Sequence, residues 1–395
     1  MSLAEWVCIG LTALGGLYWL LNVLVVLRTI GQVPVLERLR PDEPQHWPKL
    51  SVIIPACNEA EHIEAATRSR LNDGYPNLEV ILIDDRSDDG TGEIIDRLAE
   101  ADDRVRALHI SELPEGWLGK VHALNRGVEA ATGDWLLFSD ADVHIEPHTL
   151  SRSVAYCLER KLDLLAVLPE FWPRTFLLAC AFAFFVRQIC LAGRMWAVDN
   201  PHSRAFVGVG AYMLLRREAL EQTGGFEELR LTVVDDMGLA QMLKESGAQC
   251  AVANGRRQVG LHFYGGLAEA VQGPEKSVLV SFGFSYVRLV AVMLVMVLCD
   301  LSPAIALVAG IALGTPILWG LGLAMGALAL FSSLAVNRWL RMRLVPAVFF
   351  PIGLLVSVFA VARAAVLAAW RGGHVWRGVL YPNDVLRAGN RLRFP

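Results

Sequence analysis

Two aspartates separated by one residue follow an apolar stretch near the middle of the chain. Residues 136–147 read LLFSDADVHIEP, so Asp140 and Asp142 come directly after a predicted buried strand. Carboxylates this close repel each other unless a cation lies between them. Their hard oxygens suit Mg²⁺ or Mn²⁺, which keep part of their coordination shell for water and substrate phosphates. A helix cap or an acidic loop is the structural alternative, and the strand before the pair favours the metal site.

The elements around this pair predict an α/β fold. Short apolar runs predict strands at residues 50–54, 80–83, 105–110 and 135–138, and polar stretches between them predict helices at 61–71, 91–101 and 121–131. Alternating strands and helices with continuously apolar strands indicate a mostly parallel sheet covered on both faces. Ligands of such sheets bind at the carboxyl ends of the strands.

Polar motifs occur at these strand ends, and each also has a structural explanation. The motifs are PACNEA at 55–60, DDRSDDGT at 84–91 and SDAD at 139–142. Asn58 and Glu59 could cap the following helix, as could Ser87 or its acidic neighbours at 88 and 89. Capping does not explain Asp84 and Asp85, which end a strand and could accept hydrogen bonds from a base or ribose.

Further candidates lie outside these loops. Lys120, in GWLGKVHALNRG, is either a solvated lysine or a cation that offsets diphosphate charge. Asp235 and Asp236 open an amphipathic helix, where acids are favoured by the helix dipole. In the functional interpretation Asp236 is a general base. His262 is a weak metal candidate, and the nine histidines show no H-x-x-H spacing that would indicate zinc.

The composition predicts membrane segments on both sides of a polar domain. Residues are 54% hydrophobic and only 19% charged, and the net charge of −4 does not suggest nucleic-acid binding. Residues 6–27 are long enough to span a bilayer, and the arginines that follow predict that the next segment is cytoplasmic. Further spans are predicted at 289–313, 317–340 and 345–369. Three spans would leave the arginine-rich C-terminus on the outside, against the positive-inside rule, unless one segment is re-entrant or the number of spans differs by one.

Residues 176–191, FLLACAFAFFVRQICL, are also apolar enough to resemble a span. They lie between the two acidic clusters, and one crossing would place those clusters on opposite sides of the membrane. We therefore predict an interfacial or buried helix in which Arg187 is paired or extends toward the interface.

At this point the ordered motifs carry a resemblance to a known family. SVIIPACNEA, VILIDDRSDDGT, GKVHALNRGVEAATGDWLLFSDAD, GVGAYMLLRREALEQTGGF and VDDMGLAQMLKESG resemble the family 2 glycosyltransferases over about residues 50–264. The resemblance implies an inverting enzyme with a GT-A nucleotide-diphospho-sugar-binding fold. LPEGWLGK at 113–120 and the N-terminal anchor further resemble membrane enzymes of hopanoid gene clusters and carotenoid-acid and ceramide glucosyltransferases.

The resemblance also implies roles for individual residues. Asp236, with Asp235 before it, corresponds to the catalytic base; Asp140 and Asp142 correspond to the ligands of Mg²⁺ or Mn²⁺. The nucleotide-sugar donor is assigned to Pro55, Ala56, Asn58, Glu59, Asp84, Asp85, Ser87, Lys120 and Asp140. The acceptor side is assigned to Gly208, Gly210 and Gln272. The family's processive members carry Q-x-x-R-W, whereas this chain has QGPEK at 272–276, which counts against polysaccharide synthesis.

These features together predict a multi-pass protein of the bacterial inner membrane that glycosylates a hopanoid, terpenoid or sphingoid lipid. The alternatives are a processive polysaccharide synthase and a non-catalytic lipid transport partner that retains the fold. The expected divisions are a transmembrane anchor at 1–30, a cytoplasmic catalytic domain at 48–265, an interfacial amphipathic segment at 266–287, about three transmembrane helices at 288–370 and a basic tail at 371–395.

Overall fold

A computed structural model describes residues 3–393, which form two compact units. The sheet unit comprises Val33–Trp172, Met195–Phe263 and the C-terminal residues from 380 onward. The helical unit comprises the residues up to Gln32, Pro173–Arg194 and Tyr264–Val379. The chain therefore leaves the sheet unit and returns to it twice.

The helical unit contains most of the apolar sequence. Its elements are α1 (Leu3–Gln32), α6 (Phe176–Gly193), α9 (Leu267–Gln272), α10 (Tyr286–Ala312), α11 (Pro316–Trp339), α12 (Leu344–Val348), α13 (Phe350–Arg371) and the short strand β11 (Gly373–Trp376). Within residues 3–393, the five longest of these helices, α1, α6, α10, α11 and α13, are long and apolar enough to cross a membrane.

The sheet unit contains the strands β1 (Leu50–Ala56), β2 (Leu78–Asp85), β3 (Val105–Ile110), β4 (Trp135–Phe138), β5 (His144–Ile145), β6 (Leu164–Leu168), β7 (Glu170–Phe171), β8 (Met213–Arg216), β9 (Cys250–Asn254), β10 (Val259–Leu261) and β12 (Val379–Pro382). Its helices are α2 (Ile63–Leu71), α3 (Thr91–Ala101), α4 (Gly119–Ala130), α5 (Thr149–Arg160), α7 (Arg217–Glu221), α8 (Asp235–Glu245) and α14 (Asn383–Gly389). All four predicted strands and all three predicted helices are present.

The main sheet has the order β3-β2-β1-β4-β8-β6-β9. All its neighbouring pairs are parallel except those of β8, which runs antiparallel to both β4 and β6. Strands such as β2 are buried along their whole length, as expected for a sheet with helices on both faces. The predicted α/β fold with a mostly parallel sheet is confirmed.

The register of this sheet brings four chain segments to one edge. Ala56 pairs with Asp84, so β1 and β2 end side by side, and β4 ends beside β1. Because β8 is antiparallel, its first residue, Met213, pairs with Phe138 at the end of β4. The loop before β8 therefore arrives at the edge where the parallel strands end. Sequence analysis predicted the strand ends but not this antiparallel insertion.

Buried charge in the helical unit is paired. Arg187 of α6 forms an ion pair with Asp300 of α10, and both side chains are fully buried. Gln188 Nε2 donates to Asp300 Oδ2 at 3.1 Å, and the Arg187 guanidinium lies 4.9 Å from the ring centre of Trp19. A buried charge without such partners would cost several kcal/mol. The prediction that Arg187 is paired is confirmed.

Candidate active site

The Asp140–Asp142 turn is held at the end of β4 by backbone and side-chain hydrogen bonds. Ser139 N donates to the Ile53 carbonyl at 3.2 Å, and Ser139 Oγ donates to the Ala211 carbonyl at 2.8 Å. Asp140 N donates to the Gly210 carbonyl at 3.2 Å. These bonds join the turn to β1 and to the loop before β8. The first aspartate therefore leaves a rigid strand end, as a binding site requires.

Lys120 occupies the centre of the acidic group. Its Nζ donates to Asp140 Oδ1 at 2.7 Å and lies 3.8 Å from Asp235 Oδ2. A cation in the first turn of a helix is disfavoured by the helix dipole, so the carboxylates must account for its position. Burial alone would lower the pKa of Lys120, but the carboxylates, Asp140 first, outweigh burial and raise it. The ammonium is therefore a fixed positive charge in the site.

Asp142 lies in a buried setting in which negative charge predominates. Burial first, and then the nearby carboxylates of Asp140 and Glu59, raise the pKa of its carboxyl to about 7, and Arg70 opposes this shift only in part. Accumulated negative charge of this kind favours a cation, and the donors available are hard oxygens. The oxygens of Asp140 and Asp142 therefore suit a divalent metal, and no group of three or more potential ligands occurs among residues 3–393. The metal site stays a prediction.

Arg70, which sequence analysis missed, lies behind this turn. Its side chain is fully buried, and Nη2 donates to Ser139 Oγ at 2.7 Å and to the Asp140 carbonyl at 2.8 Å. Burial lowers its pKa to about 10, while Asp142 and Asp140 act to raise it. The guanidinium thus remains charged near neutral pH and partly offsets the two aspartates. An arginine on an otherwise ordinary helix gave no sequence signal for this role.

The two acids of α8 have different surroundings. Asp236 Oδ2 accepts from Gly210 N at 2.9 Å, and Oδ1 accepts from Met237 N at 2.7 Å. Asp235 is only 8% exposed and faces Lys120. Asp236 thus anchors the loop before β8 as well as being a candidate base, while Asp235 belongs to the ion cluster around Lys120.

Gly208 and Gly210 allow the backbone to approach this cluster closely. A Cβ at Gly208 would collide with the Asp236 carbonyl, which is backbone and cannot move aside alone. A Cβ at Gly210 would lie 3.1 Å from Asp140 Oδ2 and 3.3 Å from Lys120 Nζ. Both predicted glycines therefore lie at the site. Gln272, the third predicted acceptor residue, belongs to α9 of the helical unit, and its role stays a prediction.

The predicted nucleotide residues form a second part of the same strand edge. Asp85 ends β2 and pairs with the Arg86 guanidinium through hydrogen bonds of 2.8 and 3.2 Å. Asp84 Oδ1 accepts from Ser87 N at 3.2 Å, which closes the turn after β2. Gly119 lies against this pair, since a Cβ there would be 2.5 Å from Asp85 Oδ2. The uridine-binding role of Asp85 stays a prediction.

The loops after β1 and β2 hydrogen-bond to each other. Asn58 N donates to Ser87 Oγ at 3.0 Å, and Asp88 N donates to Asn58 Oδ1 at 2.9 Å. Glu59 N donates to Thr91 Oγ1 at 2.8 Å. Asn58 and Ser87 thus join the two loops rather than cap the helices after them. Their predicted contact with a nucleotide would be made by the loop pair as a unit.

The central residues of the site line one pocket. Its lining includes Pro55, Lys120, Ser139, Asp140, Gly210, Asp235 and Asp236. Ala56, also predicted, is 2% exposed and packs in the core beside it. His262 lies elsewhere, with Nδ1 2.6 Å from the Trp172 carbonyl and its ring against the Trp172 ring. This pairing gives His262 a structural explanation.

Comparison with known proteins agrees with this geometry. Residues 51–177 match the family model described as Glycosyl transferase family 2. The chain is 31% identical over 116 residues to the putative teichuronic acid biosynthesis glycosyltransferase TuaG of Bacillus subtilis. The aligned region covers 29% of this chain and 44% of the relative. It is 34% identical over 104 residues to the GalNAc(5)-diNAcBac-PP-undecaprenol beta-1,3-glucosyltransferase of Campylobacter jejuni, covering 26% of this chain and 33% of the relative.

A solved structure resembles a larger part of the chain. The mannosyltransferase PcManGT from Pyrobaculum calidifontis, in complex with GDP-Man and Mn²⁺, matches with a TM-score of 0.57 and 22% identity over 93% of this chain and 99% of the other. This likeness confirms the GT-A-type fold. The chain spans less than half the length of the two curated relatives. The matches support a transferase that carries a family 2 glycosyltransferase domain.

Proposed function

We propose that this protein transfers one sugar from a nucleotide-diphospho-sugar to a membrane lipid, with inversion at the anomeric carbon. The observation that supports this proposal most strongly is the cluster in which Lys120 lies between Asp140 and Asp235, in one pocket with Asp236. Such a cluster supplies fixed positive charge on one side and carboxylates that can accept a proton on the other. An acidic loop or an acidic helix N-terminus with only a structural role would not require both the cation and the carboxylates.

The donor half of the site stabilises the leaving group. Charge develops on the diphosphate as the bond to the sugar breaks, and fixed cations at that position lower the barrier. Lys120 provides one such charge. Arg70, which is buried behind the Asp140–Asp142 turn, partly offsets the negative charge of the two aspartates and is already in place before the reaction. A divalent cation held by Asp140 and Asp142 would supply Lewis-acid stabilisation of the same charge. The PcManGT structure was solved with Mn²⁺, which supports this assignment.

The acceptor half of the site removes a proton. Each Asp236 oxygen accepts one backbone N–H and retains a second lone pair for an acceptor hydroxyl. When the hydroxyl oxygen attacks the anomeric carbon, its proton passes to this carboxylate and the bond to the diphosphate breaks. One displacement from the side opposite the leaving group inverts the configuration.

Two observations support a lipid acceptor. Five helices within residues 3–393 are long and apolar enough to span a membrane. The name of the Campylobacter relative includes a lipid-linked acceptor, PP-undecaprenol. The sequence resemblance narrows the lipid to a hopanoid, terpenoid or sphingoid class. A processive synthase is disfavoured because QGPEK stands where those enzymes carry Q-x-x-R-W.

The path of the chain supports a specific membrane topology. Trp172 and Met195 belong to one sheet unit, so we infer that α6 between them begins and ends on the same side of the membrane. Residues 264–379 also leave that unit and return to it, which favours an even number of crossings. Three long apolar helices lie there, and we assign two of them as crossing. The uncharged turn at 313–315 and the basic run at 338–343 favour α10 and α11 as that pair.

This topology resolves the conflict between the predicted spans and the arginine-rich C-terminus. With α1, α10 and α11 crossing, both the sheet unit and the C-terminus are cytoplasmic, as the positive-inside rule requires. α6 and α13 then enter the membrane or its interface without crossing. A green fluorescent protein fused after residue 395 should fluoresce, whereas one fused at the 313–315 turn should not. The reverse pattern would contradict this topology.

Lipid analysis of cells tests the proposed activity. Cells that express the protein should contain a lipid heavier by one hexose than a lipid of the control cells. Cells that express Asp142→Asn at equal protein level should lack it. A ladder of products with several sugars would favour the processive synthase, and identical lipids in all cells would favour the non-catalytic partner.

A further inference from the structure

Residues 380–393 belong to the sheet unit instead of forming a free tail. Leu386 and Leu392 are buried at 0% and 4% exposure. Gly389 packs so closely against Leu231 that a Cβ would collide with that side chain. We call residues 380–393 the C-terminal strap. Sequence analysis predicted a basic tail for this segment, whereas the structure packs it against the sheet unit.

One end of the strap braces α8. The Arg391 guanidinium pairs with Glu228 at 3.0 Å and with Glu245 at 2.9 Å, so it joins the loop before α8 to the last residue of that helix. Arg391 N also donates to Thr232 Oγ1 at 3.1 Å. The strap thus fixes the segment that leads into the two acids of α8.

A second contact follows two residues later. Gln241 Nε2 donates to the Arg393 carbonyl at 2.7 Å, and Arg393 N donates back to Gln241 Oε1 at 2.8 Å. Gln241 is 7% exposed and lies in α8, one and a half turns after Asp236. A paired donor and acceptor restricts both position and rotation of the helix.

We infer that the C-terminal strap is a positioning element of the active site, in which Arg391 and the Arg393 backbone fix the position of α8, the helix that begins with the two acids. The strap residues need not touch substrate. Leu118 N, which donates to the Arg230 carbonyl at 2.8 Å, joins the segment before α8 to the start of α4, the helix that carries Lys120.

This inference rests on the proposed function for its kinetic consequences. Arg391→Gln should lower kcat about three- to tenfold with donor KM nearly unchanged, because it acts on the helix of the base. Asp384→Asn is the matched control: it also changes one charge, on an exposed face of α14.

Hydrogen–deuterium exchange of the full-length protein tests the strap independently of any activity. In Arg391→Gln, amides of residues 228–245 should exchange about tenfold faster than in the wild type. Asp384→Asn should match the wild type in this region. Unchanged exchange in Arg391→Gln, or equal acceleration throughout the sheet unit, would overturn the inference. Wild-type protein that turns over no nucleotide-sugar would contradict the proposed function and leave the exchange result to decide the strap.

Discussion

The substitution Asp236→Asn separates a catalytic base from a structural anchor. Both carboxylate oxygens accept backbone N–H groups, Oδ2 from Gly210 and Oδ1 from Met237. An asparagine can satisfy only one of them, because its NH₂ group must then face the other N–H. The variant therefore loses one charge-assisted hydrogen bond even though its side chain has almost the same shape.

The two roles predict effects of different size. Loss of that hydrogen bond should cost about 1.5–3 kcal/mol of unfolding free energy, the usual range for a bond to a charged group. Loss of the proton acceptor should lower kcat by about 10²–10⁴. Donor KM should stay nearly unchanged, because the donor contacts assigned to Lys120 and Asp140 are intact.

Turnover, donor KM and thermal midpoint should be measured on the same preparation of Asp236→Asn. Asp235→Asn is the matched control, since it removes the same charge one residue earlier and faces Lys120. We expect Asp235→Asn to raise donor KM and to lower kcat less than Asp236→Asn does. An Asp236→Asn enzyme that keeps a third or more of wild-type kcat would refute the base assignment, and a larger kcat loss in Asp235→Asn would move that role to Asp235.

Three further predictions follow from the site and its surroundings. Lys120→Met should raise donor KM at least tenfold, because it leaves Asp140 and Asp235 without their cation; an unchanged KM would contradict its role at the diphosphate. Asp142→Asn should abolish the rise in thermal midpoint that Mg²⁺ or Mn²⁺ gives the wild type, and full wild-type activity in excess EDTA would contradict the metal assignment. Burial raises the pKa of Asp73 to about 6. The folded protein therefore keeps a proton on this carboxyl that the unfolded chain releases above about pH 4. The stability that this proton contributes is lost as pH rises through about 6. Asp73→Asn should therefore be more stable than the wild type at pH 8 by about 1–3 kcal/mol, and its thermal midpoint should fall less between pH 5 and 8; equal pH dependence would contradict the burial effect.

The parallel strands and their acidic loops could be predicted because their signals are local. Residues 135–138 form a strand with the predicted bounds, because WLLF is a continuous apolar run that is buried throughout in a sheet with both faces covered. Residues 105–110 also form a strand with the predicted bounds, at the partly exposed edge of the sheet. The shared position of the acidic loops then follows, because the carboxyl ends of parallel strands lie at one edge of the sheet. Asp140 and Asp235, almost a hundred residues apart, meet at Lys120 as a result.

Other features depend on contacts that no local pattern shows. Arg70 lies on a short helix like any surface arginine, and only the fold reveals that it is fully buried behind the Asp140–Asp142 turn. Arg391 lies in a polar, arginine-rich segment that is typical of an exposed tail. Its partners Glu228 and Glu245 are more than 140 residues away in sequence, so neither helical nor strand periodicity could predict them.

The most direct test of the central claim is release of nucleoside diphosphate by the purified full-length protein in lipid nanodiscs. UDP- and GDP-sugars should be tried separately, each with Mg²⁺ or Mn²⁺ and with or without total bacterial lipid extract. We predict that one donor releases diphosphate only when lipid is added, together with one lipid product that is one hexose heavier. No release with any donor, or release at the same rate without lipid acceptor, would contradict sugar transfer to a membrane lipid.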